Sequence, residues 1–265
     1  MILQGLKRIF PDHRDFDFHR SFGSPTTLPS FPPEYSTDAG FWMPSQNAMG
    51  APYGCTGFSG ADACSDEDGV QYDPLDLYRR TPPGLNDQGR DIRVMLGVTI
   101  NQGLKRWLLT EEPNYKRKAY FQVRGSGVID QFDAIRLAML STRDEKRAVI
   151  AGIPWFQEFQ AAGQDGVLKM PHDLGVSRAT WHCIKIAGWT TINGVSYLMV
   201  KSWQGSDYGA GGWAYMSREL CNTLFAINGS AAFTVSKVAP GQIVTVDLGA
   251  VDLIISYVRH LLRLS

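Results

Sequence analysis

Gly54-Cys55-Thr56-Gly57-Phe58-Ser59-Gly60-Ala61-Asp62-Ala63 is the stretch on which the reading of this chain turns. A cysteine follows a glycine, and the small residues behind it, with one aromatic, suit the first turns of a buried helix. If that helix starts at Cys55, its thiol stands among unpaired backbone N–H groups at the positive end of the helix dipole, where thiolate is favoured over thiol. The competing reading is an inert core cysteine, because free cysteine is among the most buried residue types.

Composition narrows the setting. A chain of 265 residues buries a large core without help from metals or disulfides, and 44% hydrophobic with 20% charged residues is ordinary for a globular protein. Lys+Arg and Asp+Glu balance at 26 each, which gives no electrostatic case for nucleic acid or an anionic membrane. The four cysteines, Cys55, Cys64, Cys183 and Cys221, match neither a secreted disulfide framework nor a zinc pattern, so reduced thiols are expected. Neither His nor acidic residues cluster at ligand spacing, so no metal or cofactor is implied. Met1 to Arg8 lacks the apolar core of a signal peptide, and no run reaches about 18 apolar residues, so no membrane span is expected. The expected location is the cytoplasm, or a virion if the gene is phage-encoded.

Outward from Cys55, residues 1–45 are rich in proline and aromatics and read as an extended arm lying on the body. Behind the cysteine helix, Asp66-Glu67-Asp68 reads as a solvated charge run. Short helices are predicted at Pro74–Arg80, from Asp87 or Asp91 to about Ile100, and from Asp130 through Met139, each with apolar residues on one face. The pattern then changes to strands: Ala148–Ile153, Trp181–Trp189, Ser196–Trp203 and Gly212–Ser217, with Asn193-Gly194 as a hairpin turn. Helices first and an antiparallel sheet second predict an α+β protein of two lobes with a cleft between them. Residues 46–217 form the expected catalytic domain. Residues 218–265 form a C-terminal extension with a strand at Ile243–Val246 and an amphipathic helix over 248–265, a candidate surface for a protein partner or self-association.

A thiolate mechanism needs a base, and of His13, His19, His172, His182 and His260 only His182 falls within a predicted strand of the sheet lobe. Together the blocks around Gln46, Cys55, His182 and Ser202 resemble the papain-like cysteine peptidases, in the style of compact bacterial and phage forms. Pro11-Asp12-His13-Arg14-Asp15 with Leu28-Pro29 resembles their lead-in. Gln46 followed by Gly54-Cys55-Thr56-Gly57-Phe58-Ser59 resembles the nucleophile block. Trp181-His182-Cys183-Ile184 resembles the histidine strand, and Lys201-Ser202-Trp203-Gln204-Gly205 through Tyr215 resembles the Asn-Ser-Trp-Gly block and its hairpin. Cys55 and His182 stand 127 positions apart, near the roughly 130 of that family.

The resemblance implies a papain-like two-lobe α+β fold and hydrolysis of protein or peptide substrates. Cys55 would be the nucleophile, His182 its base, and Gln46 an oxyanion donor beside the backbone N–H of Cys55. Ser202 stands where the family has the asparagine that orients the imidazole. Three departures bear on activity. The asparagine is a serine, the shielding tryptophan has moved one place to Trp203, and the loop from Asn47 to Tyr53 is longer than usual, which makes Asn47 a substitute donor. The alternatives are a papain-fold assembly protein with little activity, such as part of a phage particle, and an amidase acting on cell-wall peptides through the same pair.

Overall fold

The computed structural model describes residues 17–18, 28–41, 44–83, 89–126, 128–140, 147–160, 162–227 and 230–237. The expected strand at Ile243–Val246 and the helix over 248–265 lie outside the described residues. Three helices come first: α1 (Cys55–Asp68), α2 (Pro74–Arg80) and α3 (Ile92–Asn101). Asp73 caps α2 by accepting from Leu75 N and Asp76 N at 2.9 and 3.0 Å, and Asp91 caps α3 in the same way. Helix α1 is buried on nearly every side, which is why its residues are small. A Cβ on Gly57 would stand 2.7 Å from the Tyr78 backbone of α2, and one on Gly60 would stand 2.4 Å from the Met95 sulfur of α3. No larger residue fits against the backbone at Gly57, and at Gly60 one would displace the end of the Met95 side chain.

The remaining described elements form one antiparallel sheet with α4 (Gln131–Leu140), α5 (Gln157–Gln160) and α6 (Arg218–Ala226). Its strands are β1 (Tyr35–Ser36), β2 (Ala119–Val123), β3 (Val149–Trp155), β4 (Thr180–Ile192), β5 (Val195–Lys201), β6 (Trp213–Ser217) and β7 (Ala231–Ser236). The order is β2-β7-β3-β4-β5-β6, with β1 paired to β4. Asn193 and Gly194 take left-handed φ of 50° and 78° in the two-residue turn between β4 and β5, as a twisted hairpin requires. Strand β7 and helix α6 fall in the region expected to be a C-terminal extension. There β7 sits between β2 and β3, and α6 packs on α4.

Period-two alternation on β4 sorts its side chains between two cores. Cys183 joins Phe58, Met95, Ile150 and Trp203 on the α1 face, while Ile184 and Ile186 join Ile135, Ile153, Trp155 and Leu220 on the other. Lys185 also faces α1, and its fully buried ammonium meets Asp62 Oδ2 at 2.5 Å, Asp66 Oδ2 at 2.8 Å and Asp38 Oδ1 at 3.1 Å. Lys201 of β5 adds a second cation 3.4 Å from Asp62. Burial alone would depress the Lys185 ammonium, but the three carboxylates hold it above its ordinary value.

This cluster corrects the solvated reading of Asp66-Glu67-Asp68. These residues form the last turn of α1, with Asp66 clasped by Lys185 and with Glu67 and Asp68 paired to the buried Arg117 at 3.2 and 2.8 Å. The arm joins the same cluster, since the Ala39 N–H donates to Asp66 Oδ1 at 3.0 Å. It is also fixed to β4. Tyr35 pairs with Trp189 and stacks on its ring at 4.8 Å, Trp189 Nε1 donates to Pro32 O at 2.8 Å, and a Cβ on Gly188 would collide with Tyr35 O.

Three carboxylates against two ammonium groups leave this buried cluster one negative charge in excess. Burial, reinforced by Asp62, raises the Asp66 carboxyl to about 6 against an ordinary 3.8. The folded protein therefore binds a proton there more tightly than the unfolded chain does. This group's contribution to stability increases as pH falls from about 6 to about 4. Denaturant titrations should find Asp66→Asn more stable than the parent at pH 7 by about 1 kcal/mol, with the advantage shrinking at pH 4.5. An advantage unchanged by pH would refute this assignment.

Candidate active site

Cys55 is the first residue of α1, preceded by Gly54, and the first i to i−4 bond of the helix runs from Phe58 N to Gly54 O at 3.0 Å. The N-cap residue, Gly54, has no side chain with which to cap this end, and the thiol stands at the end of the helix where the dipole is positive. The thiol is fully buried, with Thr56 Oγ1 4.0 Å from its sulfur. Burial pushes the Cys64 thiol up to about 11 and those of Cys183 and Cys221 well above their ordinary value.

His182 is the third residue of β4 and is also fully buried. Its ring lies edge-on to Trp155 at 4.7 Å, and Nε2 stands 2.9 Å from the backbone carbonyl oxygen of Ser202. A carbonyl can only accept, so Nε2 carries the proton and the neutral ring keeps its lone pair on Nδ1. Nδ1 is buried and has no hydrogen-bond partner among the described residues. Burial lowers His182 to about 4, partly offset by the Ser202 carbonyl.

His182 and Ser202 are therefore brought together, through the serine's backbone. Trp203, next in sequence, adopts a left-handed φ of 62°, a conformation that costs a residue with a Cβ about 1–2 kcal/mol. Its indole does not cover the imidazole; it packs on Phe58 of α1 at 6.0 Å and donates to Ser59 Oγ at 2.8 Å. Trp155 is the tryptophan against His182, a neighbour that the sequence reading missed. The register could have pointed to it, because Ile153 pairs with His182 and Trp155, two residues on, shares that face.

Gln46 is fully buried, with its Nε2 donating to Pro52 O at 2.8 Å inside the loop that precedes α1, while Asn47 is exposed. Near the cysteine end, helix α1 meets the histidine strand where Ser59 Oγ donates to Cys183 O at 3.1 Å. A cavity of about 440 Å³ opens between the arm, Ser45, Ala48, Trp203 and the glycine-rich hairpin, and neither Cys55 nor His182 lines it. Among the described residues no group of His, Cys, Asp or Glu could hold a metal ion, and no helix is long and apolar enough to cross a membrane.

This architecture is the papain-like α+β fold. The sequence from 112 to 233 matches the papain family cysteine proteases, a span that holds His182 and Ser202 and begins after Gln46 and Cys55. Among solved structures the chain is similar to xylellain, a cysteine protease from Xylella fastidiosa, with a TM-score of 0.63 and 15% identity over 89% of this chain and 96% of that one. It is also similar to the bromelain protease from Ananas comosus, with a TM-score of 0.58 and 14% identity over 78% and 99%. A third likeness is to procathepsin B S9 from Trypanosoma congolense, at 0.60 and 14% over 89% and 87%. No curated protein sequence matches the chain. The chain thus resembles the papain-like cysteine peptidases in fold and over that span of sequence.

The depressed His182 has a measurable consequence. Between about pH 6.5 and 4 the unfolded chain binds a proton at this residue and the folded protein does not. The stability its neutral form confers is fully present above about pH 6.5 and falls as pH drops toward 4. In Cys55→Ala protein the ring resonances of His182 should keep their neutral shifts down to about pH 5. His182→Gln should remove about 2 kcal/mol of the acid-induced loss between pH 6.5 and 4.5. Ring resonances titrating near pH 6.5 would contradict the burial argument.

Proposed function

We propose that the protein is a cysteine peptidase in which Cys55 is the nucleophile and His182 the general base. The observation that carries this reading is the His182–Ser202 bond, because a carbonyl at Nε2 leaves Nδ1 as a lone pair available to a thiol. The position of Cys55 as the first residue of α1, at the positive end of its dipole, supports it further. In this mechanism Nδ1 takes the Cys55 proton and the thiolate attacks the peptide carbonyl carbon. The oxyanion accepts from the Cys55 backbone N–H and from the Gln46 side-chain amide. The imidazolium protonates the departing amine. A thioester remains, and water deprotonated by the same nitrogen then hydrolyses it.

One observation favours a second reading, a papain-fold protein kept for assembly. Cys55, His182 and Gln46 are all fully buried, so a peptide reaches the thiol only if the walls of the site part.

A peptidyl epoxide separates the two. It should label Cys55 alone among the four cysteines, since burial holds the other three as thiols, and labelling should vanish in His182→Ala. Cys55→Ser should lower hydrolysis of a denatured protein substrate by at least about 10³-fold. Equal labelling of Cys64 or Cys221, or labelling indifferent to His182, would favour the assembly role.

A further inference from the structure

Ser59 lies one turn after Cys55 on α1 and is fully buried. Its hydroxyl makes two hydrogen bonds to other parts of the candidate site. An indole N–H can only donate and a carbonyl can only accept, so the polarity of both is fixed. Ser59 Oγ accepts from Trp203 Nε1 at 2.8 Å and gives its single proton to Cys183 O at 3.1 Å. Cys183 follows His182, and Trp203 follows Ser202, whose carbonyl holds the imidazole at 2.9 Å. The three bonds close a ring through α1, β4 and the turn after β5. Within it, the helix that carries Cys55, the strand that carries His182 and the turn that carries Ser202 are tied to one hydroxyl.

We infer that Ser59 is a positioning residue for the Cys55–His182 pair, fixing the depth and rotation of the nucleophile's helix against the histidine strand. The inference rests on the thiol reading above. Phe58, its neighbour, packs against Trp203 in a tilted arrangement at a centroid distance of 6.0 Å, and apolar packing of that kind tolerates small slides. The hydroxyl bridge does not, because both bonds weaken together when the helix shifts by a few tenths of an ångström. The left-handed φ of Trp203 belongs to the same device. It is the backbone conformation in which residue 203 sends its indole to α1 while residue 202 keeps its carbonyl on the imidazole.

Ser59→Ala removes both bonds, and Trp203→Phe removes only the indole donor. Ser59→Ala should lower kcat at least about tenfold with KM within about twofold of the parent, the pattern of a misplaced reacting group. The pH at which iodoacetamide alkylates Cys55 half-maximally should rise by about one unit as the thiol loses its base. Trp203→Phe should show a smaller change in the same direction. The double variant should be no worse than Ser59→Ala, because both substitutions break one bridge.

Ser59→Ala protein with parental kcat and alkylation profile would overturn the inference, as would a loss confined to the melting temperature. If Ser59→Ala does not fold, Trp203→Phe decides, and an unchanged alkylation profile there refutes the bridge. Cys55→Ser protein that still hydrolyses substrate would remove the thiol reading and this inference together. That result is distinct from Cys55-dependent hydrolysis indifferent to Ser59.

Discussion

A buried lysine on the central strand constrains the whole molecule. Lys185 points from β4 into the layer occupied by α1, where an unpaired ammonium would be untenable. Helix α1 supplies Asp62 and Asp66, four residues apart and so on one face, and the arm supplies Asp38. Replacing such a cluster by well-packed apolar residues is often neutral or stabilising, whereas removing the lysine alone would strand its carboxylates and cost about 3–5 kcal/mol. Its effect here is register more than stability. With 3.6 residues per turn, Cys55, Ser59, Asp62 and Asp66 fall in one stripe along α1. The charges clasp the lower half of the stripe to β4 and the Ser59 hydroxyl holds the upper half. Together they set where the Cys55 end of the helix points.

The arm belongs to this arrangement rather than lying loose beside it. Tyr35 and Ser36 add a strand to β4, and Arg136 of α4 stands between the rings of Phe31 and Trp189, at 3.7 and 4.8 Å from their centroids. Two residues beyond the strand, Asp38 reaches Lys185, and the Ala39 N–H reaches Asp66 on α1. Residues 31–39 therefore strap the sheet to the helix layer. The arm's polar contacts converge on the charges that hold the two layers together, so its docking and the register of α1 are coupled.

Much of this was legible in local chemistry. Asp91 and Asp130 announce their helices because a carboxylate can satisfy first-turn N–H groups, and Asn193-Gly194 announces its hairpin because both residues tolerate positive φ. Strands β2 and β7 were not foreseen. Each is short, buried at nearly every position and without alternation, and pairs only with strands remote from it in the chain. The acidic run at Asp66–Asp68 misled for a related reason. Nothing near it in sequence reveals that Lys185 and Arg117 wait across the fold, although an isolated lysine between Ile184 and Ile186 was a sign that a buried carboxylate must exist.

The serine at position 202 is the clearest case of a site that side-chain identity cannot report. Read as a replacement for asparagine, it removes the amide oxygen that would hold the imidazole. In the fold the same residue supplies an oxygen from its backbone, and the tautomer of His182 follows as it would from an amide. What the substitution does not supply is any further acceptor or charge near the ring, and no carboxylate is among the causes that shift its protonation. An imidazolium standing alone in that pocket is unfavourable, as is a thiolate standing alone in the core against α1. Formed together in contact, each charge offsets the other's loss of water. The proposed chemistry therefore depends on close approach of Cys55 to Nδ1 more steeply than it would in a solvated site. That steepness is why a helix held at both ends of one stripe matters for the thiol at its first residue.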